Sequence, residues 1–228
     1  MAMKLFFTAF ILFAMSAQPA LAVSFENQNA PTIPVLVLPP PVFAVPPADY
    51  KLQKDFSYVD RERLINPVEL NKALAFYEFN FAKFNNPQFL TVIDFSKNAS
   101  LKRLFQINMQ NGEVLSLHVS IGKNSDPDGD GNADSFSNVP NSLQSSLGFY
   151  LTDEEYMGGN GRSLRLHGLS ETNSNALARY IVVHGADYVS EEFNHAGRSH
   201  GCPAVDMKYR DLFINNILGG SLLYIFFK

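Results

Sequence analysis

The sequence predicts a mainly β domain, a sandwich or open barrel with a few helices, preceded by an N-terminal helical element. Three observations carry this expectation. From Phe89 onward the chain breaks into short runs rich in β-branched and aromatic residues. Two of those runs flank Asn111-Gly112, a strong hairpin signal. Helix-start signals stand at Asn66-Pro67 and at Asp206, and many short strands with few helices fit a sandwich or barrel.

Residues 1–22 read as an export signal. Lys4 supplies the positive end, Leu5 to Met15 is free of charges, and Ala20-Leu21-Ala22 gives the small-x-small cleavage pattern. That apolar run is short for a membrane span, which takes about 20 residues. Residues 23–47 hold the chain's densest run of prolines, APTIPVLVLPPPVFAVPP, and read as an extended, semi-rigid tether. The expected product is an exported protein of the periplasm or cell envelope, without a membrane span once the signal is removed.

The helical element covers residues 48–88. Asn66 is its N-cap and Pro67 its first helical residue. Leu70, Leu74, Tyr77, Phe81 and Phe84 recur at helical spacing and predict one core-facing stripe. The β domain covers residues 89–228. Its strands are expected over 89–95, 103–109, 114–121, 148–151, 164–166 and 180–184. Asp206 caps a helix to about residue 218, Gly219-Gly220 ends it, and residues 221–227 form a last strand.

A formal net charge of −4 without a basic stripe excludes a nucleic-acid binder as the first reading. Asp126, Asp128, Asp130, Asn132 and Asp134 alternate with Gly at the sixth position of the run, as in the first half of a calcium loop. The twelfth position is Ser137 in place of a bidentate Glu. A weak structural calcium and a solvated Asp/Gly turn are both open readings; no other metal or cofactor is required.

The chain holds one cysteine, Cys202, so an exported form has no internal partner for it. It is either a buried apolar residue or a reactive thiol. The segment HGADYVSEEFNHAGRSHGCPAV, residues 184–205, favours the second reading. A thiol with a free pKa of about 8.5 needs a base, and His184 at the end of a hydrophobic strand can take the proton and return it to a leaving amine. Gly201 lets the backbone approach a substrate carbonyl and offer amides to an oxyanion.

This arrangement of a His, then Ser-His-Gly-Cys, resembles the catalytic motif of the L,D-transpeptidase (YkuD-like) domains of bacterial cell-wall enzymes. The GCPA ending, HGADYVS, SLGFYLT and LRLHGL resemble a variant subfamily of these domains, over roughly residues 89–227. Where many members carry Arg or Asn shortly after the cysteine, this chain has Pro203-Ala204. The resemblance implies the fold of that family, Cys202 as nucleophile, His184 as base, and the backbone carbonyl of Gly185 as third partner. It also implies that Ser199 and His200 shape the loop and the oxyanion site. Arg198 is read either as a partner for a substrate carboxylate or as a loop-fixing residue. His167 is read either as lining the pocket or as a structural histidine.

The implied reaction is acyl transfer on peptidoglycan stem peptides through a thioester at Cys202, without a cofactor. The alternatives are a carboxypeptidase or endopeptidase of the same fold, a non-catalytic peptidoglycan-binding module, and a zinc hydrolase using His167, His184, His200 and Cys202. The zinc spacings match no known pattern.

Overall fold

The structure is a computed structural model and describes residues 42–228; the expected export signal and the tether up to residue 41 lie outside them. The remainder of the expected tether, Val42 to Pro47, lies against the domain. Phe43 packs on Phe76 and Phe84, with ring centroids 6.3 and 5.2 Å away. Ala44 exchanges two hydrogen bonds with the Asn80 side chain, both 2.9 Å.

Helix α1 runs Pro67–Phe79 and is capped by Asn66, whose Oδ1 accepts from the Val68 and Glu69 amides. The apolar stripe departs from the expected one. Ala73, Leu74, Phe76 and Tyr77 are buried, as is Phe84 beyond the helix, while Phe81 is 40% exposed. Asn80 is the cause. Its amide nitrogen donates to the Phe76 carbonyl at 3.0 Å as well as to Ala44, and the helix gives way to a single tight turn, Phe81–Lys83.

The β domain contains β1 (Phe89–Asp94), β2 (Leu104–Asn108), β3 (Val114–Leu117), β4 (Ile121–Gly122), β5 (Gly148–Gly158) and β6 (Gly161–Gly168). It continues with β7 (Val182–Ala186), β8 (Val189–Ser190), β9 (His195–Ala196), β10 (Arg198–Ser199), β11 (Ala204–Asp206), α2 (Met207–Ile217) and β12 (Leu222–Phe226). Eight strands form one sheet in the order β11-β7-β6-β5-β12-β1-β2-β3. Most pairs are antiparallel; β1 with β12 and β11 with β7 are parallel.

The expected strand over 114–121 is two strands. The chain leaves the sheet edge at His118 and crosses to the opposite edge, where the Ser120 amide donates to the Ala204 carbonyl at 2.9 Å and β4 pairs with β10. This crossing nearly closes the sheet into a barrel. Asn111-Gly112 lies in a five-residue connection, 109–113, between β2 and β3. β5 and β6 extend well past their expected ends as a projecting ribbon, where Thr152 to Gly158 is too polar to read as strand from pattern alone.

Each face of the sheet has its own core. On one face Phe213, Ile214 and Ile217 of α2 meet Ile93, Leu164 and Val183. On the other, α1 lies on an aromatic stack in which Phe76 meets Phe149 at 3.9 Å and Phe149 meets Tyr224 at 4.4 Å. No helix among the described residues is long and apolar enough to cross a membrane. Phe76→Ala is expected to lower unfolding stability by about 3–5 kcal/mol in urea denaturation. Phe81→Ala, at the exposed turn, is expected to change it by less than about 0.5 kcal/mol.

Candidate active site around Cys202

Ile181-Val182-Val183 is β-branched throughout and drives β7 into the core, and it delivers His184 at the middle of that strand. His184 pairs in register with Ser163 of β6 on one side and Ala204 of β11 on the other. Cys202 sits two residues before Ala204, in the turn between β10 and β11, and is partly exposed. Parallel pairing of β11 with β7 therefore sets the thiol beside the strand that carries the imidazole.

Three serines fix the turn. Ser199 Oγ donates to the Cys202 carbonyl at 2.7 Å and accepts from the Gly201 amide at 3.0 Å. Ser120 Oγ donates to the same carbonyl at 3.0 Å and accepts from the Ala204 amide at 2.9 Å. Ser145 Oγ donates to the Gly201 carbonyl at 3.2 Å. Gly201 has φ +121°, and a Cβ there would stand 2.6 Å from the Gln144 carbonyl oxygen. Only glycine fits. With the Gly201 amide taken by Ser199, the Cys202 amide is the one beside the sulfur that has no hydrogen-bond partner among the described residues.

The His184 ring is buried, with Nδ1 2.9 Å from the Gly185 carbonyl oxygen. A carbonyl only accepts, so Nδ1 carries the hydrogen and Nε2 holds the free lone pair. Burial pushes His184 below the usual imidazole range, against the pull of that carbonyl. Burial also pushes the Cys202 thiol up, opposed by the Val182 amide and the positive charge of Arg179. Both effects favour a neutral thiol beside a neutral imidazole at rest. The thiol hydrogen is directed to the Tyr180 carbonyl, 3.5 Å from Sγ.

Of the remaining candidates, His200 is exposed and lines a cleft of about 320 Å³ with Pro140, Asn141, Leu143, Arg179 and Tyr180. The Arg198 guanidinium donates to the Asp126 and Pro127 carbonyls. His167, opposite Leu151 on the β5–β6 ribbon, is bonded to Asp153 at 2.6 Å and does not line that cleft. Sequence reasoning missed Ser120, Ser145, Arg179 and Tyr188. Tyr188 is raised by burial and then by the Cys202 charge. Ser120, Ser145 and Arg179 stand in no local motif and reach the site through contacts distant in sequence, whereas Tyr188 lies within the HGADYVS segment itself.

Among the described residues, the carboxylates that could share a cation are those of Asp126, Asp128 and Asp130, with oxygens within 4.8 Å of one another. Asp134 is raised by burial and by these three neighbours. His167, His184, His200 and Cys202 form no such group.

Residues 61–226 match the family model described as the L,D-transpeptidase catalytic domain. No curated protein matches the sequence. Among solved structures, an L,D-transpeptidase from Mycobacterium smegmatis is 15% identical with a TM-score of 0.38, over 61% of this chain and 58% of the other. L,D-transpeptidase 3 from Mycobacterium tuberculosis is 11% identical with a TM-score of 0.39, over 61% of each chain. The helical cell shape determining protein of Campylobacter jejuni is 11% identical with a TM-score of 0.39, over 64% of this chain and 49% of the other. The chain thus spans about three fifths, or less, of the length of these structures.

Ser199→Ala is expected to cost about 1–3 kcal/mol, measured by denaturant unfolding, because it leaves the Gly201 amide and Cys202 carbonyl short of a partner. A depressed His184 binds its proton later in the folded state than in the unfolded chain, so its contribution to stability falls as pH drops through the usual imidazole range. The raised Cys202 thiol acts in the opposite direction, and its contribution falls as pH climbs past the usual thiol range. Melting curves are expected to show greatest stability between these ranges, with His184→Gln flattening the acid side.

Proposed function

Because the chain belongs to the L,D-transpeptidase catalytic domain family, we propose that it is a cysteine acyltransferase acting on peptidoglycan stem peptides in the bacterial cell envelope, with export directed by residues 1–22. The observation that carries the reading is the His184 ring held by the Gly185 carbonyl at 2.9 Å on the strand paired with the Cys202 turn. That bond selects the tautomer whose Nε2 is a base.

In the proposed mechanism Nε2 of His184 takes the Cys202 proton as the sulfur attacks the carbonyl carbon of the third residue of a tetrapeptide stem. The C–S bond forms, and the carbonyl electron pair moves to oxygen, where the Cys202 amide is available to donate. Return of that pair breaks the C–N bond, and His184 passes its proton to the departing terminal D-alanine. A thioester remains. An amine from a second stem then attacks it, His184 takes the amine's proton, and the sulfur leaves and recovers a proton from His184. Water in place of the amine gives a carboxypeptidase. The chemistry uses no cofactor; a structural calcium on Asp126, Asp128 and Asp130 is compatible with it.

Resting neutrality has a kinetic meaning in this reading. Little thiolate exists before substrate arrives, so the proton must move during attack and His184 is indispensable. His184→Ala is expected to slow acylation by about 10²–10⁴-fold. Wild-type protein is expected to gain the mass of a carbapenem adduct in intact-mass spectrometry, and Cys202→Ala to gain none. Tetrapeptide with an amine acceptor is expected to give crosslinked product and free D-alanine; D-alanine without crosslink assigns the hydrolase. A wild-type protein that neither carbapenem nor tetrapeptide acylates would overturn the cysteine-enzyme reading.

A further inference from the structure

Arg179 has no part in the proposed chemistry, yet its surroundings are unusual. It stands just before β7, at the end of a turn in which the Arg179 amide bonds the Asn175 carbonyl and the Tyr180 amide bonds the Leu177 carbonyl. Its Nη1 donates to the Ser137 carbonyl at 2.7 Å and to Ser146 Oγ at 3.3 Å. Its Nη2 donates to Ser142 Oγ at 3.1 Å and to the Gln144 carbonyl. One guanidinium thus gathers four points of a single loop, residues 137–146. Two residues of that loop, Asn141 and Leu143, and Tyr180 next to Arg179, hold φ near +60°, a region that costs a non-glycine residue energy unless its surroundings impose it.

The loop so gathered is the wall behind the nucleophile. The Gln144 carbonyl that Arg179 holds is the atom that confines Gly201, and Ser145, one residue on, donates to the Gly201 carbonyl. Tyr180, the residue after Arg179, accepts the Cys202 thiol hydrogen. Asn141, Leu143, Arg179, Tyr180 and His200, the last of them two residues before Cys202 in the chain, together bound one cleft.

We propose that Arg179 is a positioning residue of the Cys202 centre, clamping the 137–146 loop against the Gly201-Cys202 turn and setting a fixed positive charge toward the sulfur. This deepens the acyltransferase reading and rests on it for the assignment of Cys202 as nucleophile. The charged or titratable groups around Cys202 are Arg179, whose charge acts on it, Tyr150 on β5 and Tyr188 before β8, on which its own charge acts, and His184 on the neighbouring strand β7. Tyr150 is buried, bonded to Ser146 at 2.7 Å and pushed up to about 12, mainly by burial, so it stays neutral. Arg179 is therefore the one permanent cation in this set. In keeping with that, its charge draws the Cys202 thiol down against burial, and the Cys202 charge draws Arg179 up against its own desolvation. All four hydrogen bonds of Nη1 and Nη2 are spent inside the protein, which suits a clamp and not a hand for the substrate.

Two variants separate clamp from charge, and two readouts separate this proposal from the acyltransferase reading. Alkylation of Cys202 by iodoacetamide, followed against pH, reports the thiol without any assumption about substrate; carbapenem acylation reports the assembled site. Arg179→Met is expected to move the alkylation midpoint up by about one pH unit and to slow acylation at least about tenfold. Arg179→Lys keeps the charge but not the four-point grip. It is expected to hold the alkylation midpoint near that of wild type while acylation still falls about tenfold. Acylation at the wild-type rate in Arg179→Lys overturns the clamp, and an unmoved alkylation midpoint in Arg179→Met overturns the charge. Should Arg179→Met not fold, Arg179→Lys decides on the clamp, and neutral iodoacetamide against anionic iodoacetate on wild type decides on the charge: equal rates for the two, each relative to a free thiol, overturn it. If wild type alkylates but no carbapenem acylates it, the acyltransferase reading fails while the alkylation test of Arg179 stands.

Discussion

Ser120 joins the two edges of the sheet, and the geometry around Cys202 depends on that junction. The chain leaves β3 at one edge, crosses, and meets β11 at the other, where Ser120 uses its amide on the Ala204 carbonyl and its hydroxyl on both the Ala204 amide and the Cys202 carbonyl. Three bonds from one buried residue lock the start of β11 in register. A net contribution of about 1 kcal/mol each would be ordinary. Their larger effect is geometric, because β11 is short and its pairing with β7 brings the Cys202 turn to the strand that carries His184. The crossing segment is itself braced from behind. Arg103 is wholly buried, and its Nε donates to the Val119 carbonyl at 3.0 Å while Nη1 donates to the Lys97 carbonyl at 3.1 Å. Burial pulls this guanidinium down to about 10, with the charges of Asp126 and Asp94 opposing the shift. Arg198 reaches the same region from the other side, on the Asp126 and Pro127 carbonyls. The acidic loop, the crossing and the nucleophile turn are thus one connected polar structure.

Burial dominates the electrostatics of this junction. It raises the thiol and lowers the imidazole, and both shifts favour the neutral forms over the charged ones. A backbone carbonyl as the partner of His184 suits that balance. A carboxylate there would favour imidazolium strongly, whereas the neutral Gly185 carbonyl orients the ring and fixes its tautomer while leaving the proton's destination to the reaction.

What could be read in the sequence was local. Asn66-Pro67 announces α1, Asp206 caps α2 through the Lys208 amide at 2.8 Å, β12 carries an unbroken apolar run and β1 a mostly apolar one. The proposed pair of His184 and Cys202 could be picked out because the two residues and the glycine between Ser-His and Cys lie within one short stretch. The parts that stayed hidden are long-range. Ser120 is 82 residues from Cys202 in sequence, and nothing in HVSIGK marks a serine that will hold a distant carbonyl. Arg179 is read as an ordinary cation before a strand until residues 33 to 42 positions upstream fold over it. Tyr180 belongs to β7 by composition but is excluded by its φ of +56°. The Phe81 expectation missed for a related reason, since the stop at Phe79 depends on Asn80 meeting Ala44, far back in the chain.

Two glycines show how little slack the convergence allows. Gly201 must be glycine because the loop held by Arg179 presses the Gln144 carbonyl into the space of a side chain. Gly185 is confined from the opposite direction, where a Cβ would stand 2.6 Å from Met207 Sδ and 3.0 Å from Arg210 Cδ at the start of α2. The first lets the 137–146 loop close on the turn that bears the thiol; the second lets α2 close on the strand that bears the base. A side chain at Gly201 would drive the 137–146 loop off the Cys202 turn, which is held both by the pairing of β11 with β7 and by the bonds of Ser199, Ser120 and Ser145. The two glycines differ in kind: at Gly201 the obstacle is backbone and φ is positive, so only glycine fits, whereas at Gly185 the obstacles are the side chains of Met207 and Arg210, which can move aside.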